Sequence, residues 1–236
     1  MLILAGASGD RKSVLMTQVT DNYYKREFWA IENLRYSEPH FRLTKAARLI
    51  NSIAAGRTCT LLDVGCGPAA LACLLDKNIG YYGIDIAIHT PAANLLQADL
   101  LATPIRFGDR QFDIIVAQGV FEYVGRFQQE KLREIRQLLK RDGTFIVSYV
   151  NFDHLHRHVY QPYSNVQSFD EFRRGLMRIF RIDRCVPTSY HWHHHEPNRH
   201  FMKALQMRIN LKIPVLSRWF AVEYFFICSA DRAGEV

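Results

Sequence analysis

The stretch Leu61 to Ala70, LLDVGCGPAA, is an apolar run that ends in an acid, followed by two glycines one residue apart and then a run of small residues. An apolar strand running straight into such a turn leaves few options. Glycine lets the backbone reverse sharply and lets a ligand lie against its amides, and both are needed where a strand feeds a helix over a binding site. Further apolar runs continue the theme: CTLLDVG, ALACLLDK, IGYYGIDI and FDIIVAQG, then the charged amphipathic QEKLREIRQLLK, then GTFIVSYV. Strand-like runs alternating with helical patterns predict a parallel sheet with crossover helices, an α/β fold.

The flanking segments extend this unit. Tyr24, Phe28, Trp29 and Ile31 sit among charges at helical spacing, and Ala46, Leu49, Ile50 and Ile53 repeat the stripe, so two helices precede the sheet. Pro39 suits the first turn of the second helix and Gly56 its end. After the fifth strand, Ser168 can cap a helix over DEFRRGLMRIF, RIDRCV reads as a strand, and EYFFICSA as a closing strand. Between these last two lie the His-rich SYHWHHHEP and a basic amphipathic stretch, Arg199 to Phe220, broken at Pro214. The expected organisation is a leader over 1–21 and one domain over 22–236. Within that domain, 22–55 forms a helical cap and 199–220 an inserted lid. The chain's 236 residues, 48% of them hydrophobic, suffice for one such core.

Lys and Arg outnumber Asp and Glu by 30 to 23, a moderately basic balance that suits an anionic substrate, a nucleic acid or an anionic membrane surface without choosing among them. The five cysteines form no CxxC pair, which points to reduced thiols and a cytoplasmic setting. GASGDRKS near the start imitates a phosphate loop, but Arg11 occupies the place of the required glycine before Lys12. No apolar run is long enough to span a bilayer.

The glycine pattern alone leaves two readings open. Gly65, Gly67 and Ala70 match a variant dinucleotide fingerprint, and Asp85 follows at the distance of a ribose-binding acid, so a nicotinamide oxidoreductase fits as well. From about Asn22 to Ala230, however, the chain resembles the class I S-adenosylmethionine-dependent methyltransferases, with their Rossmann-like, seven-stranded, mostly parallel sheet covered by helices on both faces. LDVGCGPA reproduces the family's first motif from Asp63 through Gly65 and Gly67, with Ala69 where a third glycine usually lies. YYGIDI supplies the acid at the end of the second strand, and QADLLATPIRFGDRQFD the acid of the next motif.

The resemblance implies a cofactor, S-adenosylmethionine, and a set of roles. Asp63, Gly65 and Gly67 would face its amino-acid moiety. Asp85 would accept hydrogen bonds from the ribose hydroxyls, Ile86 would lie against the adenine, and Asp99 with Leu100 would bind the adenine edge. Gln118 and Gly119 would line the methionine part. Many relatives carry Glu-His after that segment; here Glu122 and Tyr123 stand there, and Tyr123 would border the acceptor. Arg42, one helix upstream of the first motif, is the nearest match to the basic residue that pairs with the cofactor carboxylate in related enzymes. The hydride-site pair Tyr-x-x-x-Lys is missing after the fourth strand, which disfavours the oxidoreductase.

The histidines form two groups, His154, His156 and His158, and His191, His193, His194 and His195. Neither group has a Cys or carboxylate at metal-ligand spacing, so no metal is expected. A base assists methylation of a hydroxyl, and His154 and His191 are the candidates. The stretch 199–220 reads as a lid in preference to an interfacial helix on anionic lipid through Lys203, Arg208, Lys212 and Arg218. The fourth strand ends in AQGVFEY and not in the Asn-Pro-Pro-Tyr type of motif that serves flipped bases, so no nucleic-acid partner is expected. The expected reaction is methyl transfer to a small-molecule oxygen, or a nitrogen. An inactive cofactor-binding scaffold is the rival from another class, and the sequence does not fix the oligomeric state.

Overall fold

The computed structural model describes residues 41–151, 167–190 and 221–230. The strands are β1 (Cys59–Val64), β2 (Ile79–Asp85), β3 (Leu95–Gln97), β4 (Phe112–Ala117), β5 (Leu139–Val150), β6 (Arg181–Tyr190) and β7 (Ala221–Ser229). They form a seven-stranded sheet in the order β3-β2-β1-β4-β5-β7-β6. Strands β1 to β5 run parallel, whereas β7 is antiparallel to both β5 and β6. The Rossmann-like, mostly parallel sheet expected from the sequence is therefore the observed one.

Three helices cover the sheet among the described residues: α1 (Phe41–Ala54), α2 (Gln128–Leu138) and α3 (Phe169–Met177). Side chains alternate between the faces of a strand, and here both faces are buried. Ala46, Ala47, Ile50 and Ala54 of α1 pack on Leu61, Ile114, Val116, Ile146 and Phe225. The neighbours of those strand residues, Leu62, Ile115, Phe145, Val147 and Phe226, point the other way and pack with Leu132 and Ile135 of α2 and Phe172 of α3. This two-sided burial is why the central strands read as continuous apolar runs.

Local signals account for the element ends. Helix α1 stops at Gly56, whose φ of 76° suits a residue with no side chain. Helix α3 starts with a capping box in which Ser168 Oγ accepts from the Glu171 amide and the Glu171 carboxylate accepts from the Ser168 amide. Pro187 lies in β6, the edge strand, where its missing amide is tolerated and the register shifts beside it.

One expectation is corrected. ALACLLDK, read as a crossover helix, forms only a short 3-10 turn over Ala70–Leu74, and no α-helix lies between β1 and β4. The turn is entered from Ala69 in the left-handed conformation (φ 58°, ψ 27°), and the Ala72 amide closes back onto the Ala69 carbonyl three residues earlier. Its far end is fixed by Asn51 of α1, which donates to the Leu74 carbonyl and exchanges hydrogen bonds with Asp76. The apolar spacing that suggested a helix serves to seat Leu71 against α1 and β1 instead.

No helix among the described residues is long and apolar enough to cross a membrane. The leader 1–21, the first part of the cap (22–40) and the lid 199–220 lie outside the described residues.

Candidate functional site

The strand order reverses at β1: the chain proceeds outward through β2 and β3, then returns to place β4 on the other side. Ligands in open α/β sheets bind in the crevice at the carboxyl ends of the strands beside such a reversal. A cavity of about 250 Å³ opens there.

The glycine turn forms its floor. Gly65 and Cys66 donate their amides to the Ile84 carbonyl at 2.8 and 3.2 Å, and the Gly67 amide donates to Asp85 Oδ2 at 2.8 Å, so the turn is stapled to the end of β2. Asp85 Oδ1 accepts from the Ala87 amide at 3.0 Å, which fixes the carboxylate from both sides. Gly65 has a φ of 76°, and a β-carbon there would come within 2.3 Å of Val120 Cγ2. Only glycine allows the β1 turn and the segment after β4 to meet so closely.

The cofactor-side residues named from the sequence all line this cavity. Asp63, Gly65 and Gly67 come from the β1 end, Asp85 and Ile86 from the β2 end, and Asp99 with Leu100 from the turn after β3. Gln118 comes from the β4 end and Arg42 from the first turn of α1, and Tyr123, the acceptor-side residue, is there too. Asp99 also holds its own turn, accepting from the Leu101 amide at 2.8 Å. Arg42 donates through Nη1 to both Glu223 oxygens at 3.2 Å. The candidate bases His154 and His191 lie outside the described residues. Asp113, at the start of β4, belongs to the opposite end of the sheet, where it pairs with Lys140 and Thr60.

The electrostatics divide the cavity in two. Around the glycine turn, burial pushes the Asp63 carboxyl up to about 7, against the lowering effect of the Tyr81 hydroxyl that donates to it at 2.8 Å, and Asp85 pushes it further. Burial and these two carboxylates keep Cys66 a thiol. On the other side, two residues that the sequence reading did not assign complete the wall, Glu122 and Glu223. Glu122 is 4% exposed; its Oε1 accepts from the Val150 amide at 2.9 Å, and its Oε2 has no partner among the described residues. Burial, aided by the neighbouring Glu223, raises Glu122 to about 8. Glu223 also suffers burial, but Arg42 above all, with Ser148 and Thr188, outweighs it and holds the carboxyl below its ordinary value. The missed signal was a lone charge in each of two apolar runs, VFEYV and AVEYFFI.

The donor set suits a nucleoside joined to an amino acid. Three acids, Asp63, Asp85 and Asp99, offer acceptors to hydroxyl and amino groups. The cavity's described lining contains one cation, Arg42, already engaged by Glu223, which is poor provision for the pyrophosphate of a dinucleotide.

Comparison with known proteins agrees with the geometry. Residues 62–147 match the model of the "Methyltransferase domain" family. No curated protein sequence matches the chain. Among solved structures, a chain of the Haloferax volcanii complex between the Trm112 methyltransferase activator and a methyltransferase superposes with a TM-score of 0.59 at 17% identity, over 92% of this chain and 100% of that one. An S-adenosylmethionine-dependent methyltransferase from Archaeoglobus fulgidus gives 0.55 at 18% identity, over 80% and 94%. The plantazolicin methyltransferase BpumL, in complex with a desmethylplantazolicin analogue and S-adenosylhomocysteine, gives 0.57 at 15% identity, over 92% and 98%.

Proposed function

We propose that this chain, whose residues 62–147 match the methyltransferase-domain family, is a class I S-adenosylmethionine-dependent methyltransferase that delivers the methyl group to the hydroxyl oxygen of a small-molecule acceptor. S-adenosylmethionine supplies an electrophilic methyl on a sulfonium; the chain's task is to orient the reactants, exclude water and manage one proton. The observation that carries the reading is the mixed lining of the cavity: acids and a glycine turn at the ends of β1 to β3, and beyond them Leu43, Val120, Tyr123 and Val150 with the carboxyls of Glu122 and Glu223. Apolar side chains and acids in that part of the wall suit a compact organic acceptor better than a polyanionic one.

In this reading Asp85 holds the ribose, Ile86 and Leu100 flank the adenine with Asp99 at its edge, and Gln118 lies along the methionine part. Asp63 and the Gly65–Gly67 turn face the amino-acid group. Arg42, held by Glu223 on the cavity wall, is the residue assigned to the cofactor carboxylate. Tyr123 borders the acceptor, and the lid 199–220 closes over it. His154 and His191 remain proposed participants on the acceptor side.

Calorimetry with S-adenosylhomocysteine and NAD, followed by mass analysis of methylated products, tests this function. The reading expects binding of the first ligand only and a methylated oxygen. In a folded Asp85→Ala variant, S-adenosylhomocysteine should bind more weakly by about 1.5–3 kcal/mol, the scale for a lost charged hydrogen bond. Unchanged affinity would remove the ribose role from Asp85.

A further inference from the structure

We infer that Glu122, through its unpartnered Oε2, is the catalytic base of the acceptor subsite and receives the proton of a neutral hydroxyl during methyl transfer. A buried polar atom left without a hydrogen bond costs free energy, and here the atom belongs to a side chain that lines the functional cavity. The other oxygen, Oε1, is held by the Val150 amide at 2.9 Å, so the carboxyl is fixed by the end of β5 and cannot swing freely to find a partner. The cation that would otherwise neutralise it, Arg42, is committed to Glu223. Glu122 is thus an oriented acceptor whose missing partner has to be brought in by a ligand.

The charges around it select that ligand. Methyl transfer already brings a sulfonium into the cavity, while the charge of Arg42 is offset by Glu223. A protonated amine would add a second uncompensated positive charge beside the sulfonium in a partly desolvated space, whereas a hydroxyl donates a hydrogen bond without one. As the hydroxyl oxygen forms its bond to the methyl carbon, the carbon–sulfur bond breaks with its electron pair remaining on sulfur, and the O–H proton passes to Glu122 Oε2. One sulfonium charge and one carboxylate charge disappear together, so the cavity's net charge is unchanged by the step. Burial beside Glu223 makes Glu122 reluctant to hold a negative charge. A cation arriving with the methyl donor favours its ionised, proton-accepting form.

This assignment rests on reading the acceptor as a hydroxyl, but its test needs no acceptor. Two ligands that share the nucleoside and amino-acid parts are compared by calorimetry: S-adenosylhomocysteine, a neutral thioether, and sinefungin, which carries an amine where the sulfonium methyl stands. Glu122→Gln keeps the size and the Val150 contact but cannot take up charge. It should weaken sinefungin about tenfold or more while changing S-adenosylhomocysteine by less than about twofold. In the wild-type protein the ratio of the two affinities should shift toward sinefungin as pH rises from about 6 to about 8.5. Among the described residues, the charged and titratable groups facing Glu122 are Glu223 from β7, Arg42 from α1 and the Tyr149 hydroxyl from β5. Asp63 also titrates in this range and acts on the sinefungin ammonium as well, so the part of the shift that belongs to Glu122 should be lost in Glu122→Gln. Equal weakening of both ligands by Glu122→Gln, or a ratio that is flat with pH, would overturn the assignment. A product methylated on an atom other than oxygen would overturn the acceptor reading instead and leave the affinity ratio standing.

Discussion

Replacing Gly65 by Ala tests the close approach on which the site's geometry depends. Two costs follow from the coordinates. The residue has a φ of 76°, and holding a side chain in the left-handed region costs about 1–2 kcal/mol. The new methyl would stand 2.3 Å from Val120 Cγ2, and relieving such overpacking costs about 1–3 kcal/mol. Together they destabilise the fold by about 2–5 kcal/mol. The two parts can be separated, because Val120→Ala removes the clashing γ-carbon and leaves the dihedral unchanged. In that background Gly65→Ala should cost only about 1–2 kcal/mol, a coupling of about 1–3 kcal/mol between the sites. Urea unfolding followed by circular dichroism on the four proteins of the cycle measures this. A loss below about 1 kcal/mol for the single variant, or additive losses in the double variant, would refute the packing argument.

The left-handed Ala69 (φ 58°) predicts the opposite sign: Ala69→Gly should raise stability by about 1 kcal/mol, seen as a higher urea midpoint. The raised carboxyls of Asp63, about 7, and Glu122, about 8, bind more protons in the native state than in the unfolded one, so their contribution falls as pH rises from about 4 to about 8. Asp63→Asn should therefore gain thermal midpoint relative to wild type more at pH 8 than at pH 5, and an equal difference at both would count against the shift. Arg42→Ala leaves Glu223 buried without its guanidinium and should destabilise by about 2–3 kcal/mol, less than a fully buried pair because Arg42 is 35% exposed. Adding Glu223→Gln should recover part of that loss in the same unfolding assay. Chelation with EDTA should leave turnover unchanged, since the histidine groups lack companion ligands; loss reversed by one divalent ion would show otherwise.

The cofactor side of the cavity was legible because its parts are local. Each acid lies within two residues of the end of its own strand, and the glycines mark the turn itself, so order along the chain maps directly onto position around the strand ends. The acceptor side was not legible in the same way. Glu122 was seen only as the neighbour of Tyr123, and Glu223 passed as part of a closing strand, because their meeting depends on β7 being laid beside β5. What the sequence did hold was the oddity of a carboxylate inside an apolar run. The misread helix at ALACLLDK has a different cause: apolar spacing over so few residues fits a 3-10 turn as well as an α-helix. The pinning contact that decides between them, Asn51 with Leu74 and Asp76, comes from another element.

The Arg42–Glu223 bridge joins residues 181 positions apart, and this separates the two sides of the cavity in time as well as in space. Asp63, Asp85, Asp99 and Gln118 all come from one continuous stretch of chain, so their strands and turns can pair as soon as that stretch has left the ribosome. The wall formed by Arg42 and Glu223 cannot close until β7 has been synthesised and has inserted between β5 and β6. Contacts of such long sequence separation form late, after the loop entropy between them has been overcome. A nascent chain can therefore bring the acids and the glycine turn of the cavity together before Glu223 arrives to complete the opposite wall.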